Sequence, residues 1–215
     1  MQKTVELMIF DFDGTLADTK DDLVVAVNHT LSYFKLSPRT EEDIVSFVGD
    51  GVTQLIERSL GISRDRYISE AMNVFTDYYG EHLVDRTKLC PGVEDVLRHY
   101  AHKKKVIVTN KRTRFAKTIA AHLGIEQCFL EIIGADTTPY QKPDVRIMDY
   151  VLNRHGAPRE KTVIIGDGKN DIALAASTGI FCCACLNGLG KREDLLAMNA
   201  DVYCENIIEI KSFFC

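Results

Sequence analysis

The chain predicts an α/β fold, a Rossmann-like doubly wound parallel sheet core with an inserted all-helical domain. Three observations carry that expectation. An apolar run of strand length opens the chain at residues 5–10; residues 16–86 show helical spacing alone; and from Pro91-Gly92 onward strand-length apolar runs alternate with helix-period segments.

The opening run ends in Asp11-Phe12-Asp13-Gly14-Thr15-Leu16. Over residues 20–36 the spacing becomes three-and-four (Leu23, Val24, Val27, Leu31, Phe34), an amphipathic helix that Pro38 closes. Thr40, followed by Glu42 and Asp43, opens a second helix to residue 48. Gly49-Asp50-Gly51 breaks it, and helices follow over 52–60 and 64–83. No strand signal interrupts this stretch. Beyond it, helices are expected at 93–102, 112–123, 145–154 and 170–177, and strands at 105–109, 129–133, 162–165 and 180–185, with 201–203 and 207–213 as a last pair. The expected division is residues 1–15 with 87–215 for the α/β core and 16–86 for the helical insert.

The 215 residues suffice for a substantial core. A formal net charge of -5 argues against a nucleic-acid or anionic-membrane surface, no apolar run reaches membrane-span length, and the first residues lack a signal-peptide pattern, so a cytoplasmic protein is expected. Oligomeric state is not legible. The seven cysteines are scattered, without the spacing of a disulfide framework. Cys182 and Cys185 form a C-x-x-C within a predicted strand, where residues three apart point to opposite faces, so core packing is expected. The six histidines lack ligand spacing, and Phe75, Tyr78 and Tyr79 fall at helical spacing as core of the insert.

In an open parallel sheet, ligands bind beyond the carboxyl ends of the strands. Those ends carry Asp11 and Asp13; Thr109 and Asn110; Asp167, Gly168 and Asp171; and, in the loop after the 129–133 strand, Lys142-Pro143. The two acids at the first strand either bind a cation or divide into nucleophile and proton donor. An EF-hand calcium loop is excluded, because Leu16 stands where that loop needs glycine and Asp22 where it needs a bidentate Glu. Converging carboxylates require a partner, since each desolvated one costs several kcal/mol. A hard divalent cation, Mg²⁺, suits oxygen ligands, and Thr109, Asn110 and Lys142 suit phosphate oxygens. Carboxylates, magnesium and a phosphate clamp together indicate phosphoryl transfer.

DFDGTLAD, VTNK, QKP and GDGKND occur in this order across the chain. On these four motifs the chain resembles the haloacid dehalogenase (HAD) superfamily phosphatases, and within them the phosphoglycolate phosphatases; the helical insert resembles that family's cap. The resemblance implies Mg²⁺-dependent hydrolysis of a small phosphorylated metabolite, 2-phosphoglycolate first, through an aspartyl-phosphate. In that scheme Asp11 is the nucleophile, Asp13 the proton donor and then base, and Thr109 and Lys142 hold the phosphoryl oxygens. Asp11, the Asp13 carbonyl and Asp167 would ligate Mg²⁺, with Asp171 the outer acid of the set. Gly49, Asp50, Gly51, Asn110 and Arg112 are expected at the substrate, with Arg58 a second candidate cation.

Gly168 departs from the hydroxyl residue many relatives carry there, and Arg112 from their proline. Leu23 occupies the place of the histidine that sugar-phosphate mutases keep, and Asp13 is the acid that phosphonate hydrolases lack, which disfavours both activities. Inorganic pyrophosphatase, nucleotidase or sugar-phosphate phosphatase activity stays open, as does a non-catalytic regulatory protein on the same fold.

Overall fold

A computed structural model describes residues 2–61 and 64–215. Its centre is strand β1 (Leu7–Phe10), buried along its whole length. A two-residue β2 (Ala17–Asp18) leads into four helices, α1 (Lys20–Tyr33), α2 (Glu41–Ser46), α3 (Val52–Leu60) and α4 (Arg64–Glu81). Strand β3 (Lys88–Leu89) and α5 (Val93–His99) bring the chain back to β4 (Lys104–Val108). Then come α6 (Thr113–His122), β5 (Glu131–Ile133), α7 (Arg146–His155), β6 (Thr162–Gly166), α8 (Lys169–Thr178) and β7 (Phe181–Cys185). The chain closes with α9 (Arg192–Leu196), β8 (Val202–Cys204) and α10 (Ile210–Phe213).

Six strands form one parallel sheet in the order β5-β4-β1-β6-β7-β8. Strand order reverses at β1, so a crevice opens beyond the carboxyl ends of β1, β4 and β6, the usual ligand position in such a sheet. Alternation along β1 divides two cores. Leu7 and Ile9 pack with Ile147 and Val151 of α7 and Ile172 of α8. Met8 and Phe10 belong to a larger cluster that continues through Phe12 and Leu16 into Leu31, Ile56 and Phe75 of the insert. The helical insert therefore shares apolar contacts with the sheet layer.

Two expectations need correction. Residues 16–86 are not helix throughout, because Ala17–Asp18 pairs antiparallel with Lys88–Leu89 where the insert leaves and rejoins the core; two-residue strands are too short to show a period. Residues 192–196 add a helix that the sequence reading omits, whereas the last pair is present as β8 followed by a 3₁₀ turn running into α10. Asp22, at the start of α1, reinforces the junction: its buried carboxylate accepts from the Arg86 and Thr87 amides and the Thr87 hydroxyl. Cys182 and Cys185 do face opposite cores, and all seven thiols are free. No described helix is long and apolar enough to cross a membrane.

Candidate active site

Two buried carboxylates, Asp167 and Asp171, the partly exposed carboxylate of Asp11 and one ammonium form the floor of the crevice. Lys142 Nζ lies 2.8 Å from Asp11 Oδ1 and 2.7 Å from Asp171 Oδ1. Asp167 is held by a short hydrogen bond from the Thr15 hydroxyl, 2.5 Å, and by one from the Leu189 amide, 2.7 Å. Its seat leaves no room for side chains: a Cβ at Gly14 or at Gly188 would approach its Oδ2 to 2.2 Å. At Gly14 the positive φ of 84° independently favours glycine.

Three acids facing one cation leave an excess of negative charge. Burial, reinforced by Asp171, pushes Asp11 up to about 7, and burial reinforced by Asp11 does the same to Asp167. Burial also raises Asp171, against the pull of Lys142. Burial disfavours charge on Lys142, but the Asp11 and Asp171 carboxylates outweigh it and hold the ammonium protonated.

Asp13 stands apart from that group. Its Oδ1 accepts from the Thr19 hydroxyl at 2.6 Å and from Lys111 Nζ at 2.8 Å, and Lys111 also donates to the Tyr79 hydroxyl at 2.8 Å. The sequence reading gives Lys111 no role. The available signal is its place directly after Thr109-Asn110 at a strand end, where a side chain enters the crevice.

A cavity lies between sheet and insert. Asp11, Asp13, Thr109 and Lys111 line its core side, and Gly49, Gly51, Phe75 and Tyr79 its insert side. Thr109 is buried, and its Oγ accepts from the Lys111 amide, leaving its own proton for a ligand. Arg112 also lines the cavity.

Two expected substrate groups, Asn110, which lines the cavity, and Asp50, are also engaged in structure. The Asn110 side chain accepts from the Lys142 amide and donates to the Lys142 and Gly49 carbonyls, fixing Lys142 and tying the insert down. Asp50 points to Arg58, 2.5 Å away, and to Asn170, whose amide also reaches the Gly49 carbonyl. The 49–51 turn thus faces the core, but through a carbonyl and a carboxylate that bind protein groups. Arg58, which also donates to the Phe47 carbonyl, is committed to the turn. Asp171 places one oxygen on Lys142 and the other on the Gly168 amide, a bond that requires no hydroxyl at position 168.

The family model for haloacid dehalogenase-like hydrolases matches residues 8–185. A phosphoglycolate phosphatase of Vibrio parahaemolyticus is 30% identical, with 97% of this chain and 96% of the relative covered. One of Chromobacterium violaceum is 33% identical over the same shares. Among solved structures, a predicted phosphoglycolate phosphatase of Haemophilus somnus superposes with a TM-score of 0.91 at 25% identity, covering 97% of both chains.

Proposed function

The chain belongs to the haloacid dehalogenase-like hydrolase family, as an enzyme of the phosphatase kind, and we propose that it hydrolyses a small organic phosphate monoester, 2-phosphoglycolate first. The observation that carries this reading is the placement of Lys142 between Asp11 and Asp171, with Asp11, Asp13 and Thr109 lining one cavity.

Asp11 attacks phosphorus, and Asp171 and the Asn110 side chain hold Lys142 where it meets both the nucleophile and a phosphoryl oxygen. Thr109 donates its free proton to a second oxygen. Asp13 gives its proton to the leaving alkoxide, and the carboxylate so formed is received by Lys111 and the Thr19 hydroxyl until it takes a proton from the hydrolytic water. The insert, tied to the core at Gly49 and Asp50, shields the aspartyl-phosphate from early hydrolysis.

The donor set fits Mg²⁺. Acidic oxygens are in excess over Lys142, and among the described residues no three His, Cys, Asp or Glu side chains could cage a metal unaided. Mg²⁺ is held in that manner, by one or two carboxylates completed by water and substrate phosphate. Asp11, Asp167 and the Asp13 carbonyl would hold it, and when bound it would neutralise charge on the phosphoryl oxygens.

Asp167→Asn should therefore raise the Mg²⁺ concentration needed for half-maximal rate, measured by titration at saturating substrate; an unchanged requirement would remove Asp167 from the metal site. Stability supplies a second check. Asp11 and Asp167 have folded values near 7, above an unfolded value near 4, so the metal-free folded state binds the extra protons. Their contribution is full below about pH 4 and is lost as pH rises through 7. Because Mg²⁺ binds the ionised form, the increase in melting temperature on adding it should be larger at pH 8 than at pH 5; an equal or smaller increase at pH 8 contradicts this.

The substrate is tested by ranking kcat/KM with Mg²⁺ over small phosphorylated acids, sugar phosphates, nucleoside monophosphates and pyrophosphate. 2-Phosphoglycolate should lead, and a lead by pyrophosphate or a nucleotide would replace the reading.

A further inference from the structure

We propose that Lys111 and Tyr79 form a carboxylate clamp in the leaving-group pocket, which makes phosphate esters of α-hydroxy acids the preferred substrate class. The proposal rests on the reading of Asp13 as the proton donor to the ester oxygen.

Both side chains are almost wholly buried and line the cavity. The Lys111 ammonium has three protons; two go to Asp13 Oδ1 and the Tyr79 hydroxyl, and among the described residues the third has no protein acceptor. The Tyr79 oxygen accepts from Lys111, and its own proton likewise has no described acceptor. Burial pushes Tyr79 up to about 12, so that proton stays on the hydroxyl. An N–H and an O–H, on groups 2.8 Å apart, match the two oxygens of one carboxylate.

Reach selects which carboxylate. A proton donor lies within about 3 Å of the oxygen it protonates. Lys111 Nζ is 2.8 Å from Asp13 Oδ1, hence a few bond lengths from the ester oxygen. In an α-hydroxy acid ester the carboxylate carbon is separated from that oxygen by a single carbon, within the clamp's range.

Other cations are less suited. Lys142 is paired with Asp11 and Asp171, and Arg58 with Asp50. Arg112 is the rival within the cavity. Lys111 comes from the core and Tyr79 from α4 of the insert, so a carboxylate held by both would join the two layers over the reacting phosphate.

The test compares 2-phosphoglycolate with 2-hydroxyethyl phosphate, which replaces the carboxylate by a neutral group of similar size. Wild type should favour 2-phosphoglycolate in kcat/KM by about 10- to 100-fold, the range for hydrogen bonds to a charged group. Lys111→Gln and Tyr79→Phe should each shrink that ratio at least severalfold, mainly through KM for the acid, and Lys111→Arg should restore part of it. Thermal melts establish that each variant is folded. An equal loss on both esters, with the ratio intact, would leave Lys111 as a counter-ion of Asp13 alone and overturn the clamp. A ratio that collapses only in Arg112→Gln would overturn it in favour of Arg112. A wild-type enzyme that cleaves both esters equally refutes the clamp while sparing the phosphatase reading, whereas one that cleaves neither removes that reading and the clamp together.

Discussion

Asp11→Asn should abolish turnover of every phosphate ester while leaving the fold intact. Removing a nucleophile costs on the order of 10⁶-fold in kcat where the attacking atom cannot be replaced. An amide is a poor nucleophile toward phosphorus, and Asp11 has no neighbour to substitute: Asp167 is pinned by Thr15 and the Leu189 amide, and Asp171 by Lys142 and the Gly168 amide. The fold should survive because Lys142 keeps Asp171 as a partner when Asp11 is neutralised. One of three clustered like charges disappears as well, so the metal-free variant should melt at or above the wild-type temperature at pH 8. Activity above a few per cent of wild type would remove Asp11 from the nucleophile's place. Loss of activity with a collapsed melting temperature would assign it a structural role instead.

Asp13→Asn should lower kcat by about 10²- to 10⁴-fold for alkyl phosphates, the usual worth of a positioned proton donor. The loss depends on the leaving group. An aryl phosphate with an acidic phenol needs little protonation, so its first step should be spared much of the cost. Thr19 and Lys111 both donate to Asp13 Oδ1, and the amide oxygen of the variant can still accept from them, which keeps the local structure comparable. Equal losses on alkyl and aryl esters would mean that Asp13 serves geometry or the metal and not proton transfer.

Much of this architecture is legible in the sequence because two periods carry it. The apolar runs at β1, β4, β6 and β7 are strand-length and mostly buried, the break at Gly49-Asp50-Gly51 separates α2 from α3, and Pro91-Gly92 stands directly before α5. Short elements are not legible: the β2–β3 ribbon has two residues a side, and α9 barely exceeds one turn. The floor of the site is readable for a topological reason, since polar residues that end parallel strands meet in one crevice.

The second layer of the site is not readable in the same way. Lys111 looks like a loop lysine until folding sets it beside Asp13, 98 residues earlier in the chain. Tyr79 fits a helix core by its spacing, and only the position of α4 against the sheet brings its hydroxyl to Lys111. Gly188 resembles an ordinary turn glycine, although its missing side chain is what admits Asp167. Asn110 and Asn170 carry the chemistry of phosphate ligands, yet their amides fix the 49–51 turn and Lys142. Which polar groups remain free for substrate is settled by such pairings, and spacing along a chain does not encode them.

The central claim, a covalent phosphoryl-enzyme on Asp11, is tested most directly by trapping it. Turnover of 2-phosphoglycolate with Mg²⁺ is quenched in acid, the acyl phosphate is reduced with borohydride, and the peptide carrying Asp11 is analysed by mass spectrometry. Homoserine at position 11, present only when substrate and Mg²⁺ were both supplied and absent from Asp11→Asn, is the expected result. An unmodified Asp11 under conditions of steady turnover, or homoserine at Asp13, Asp167 or Asp171 instead, would contradict it.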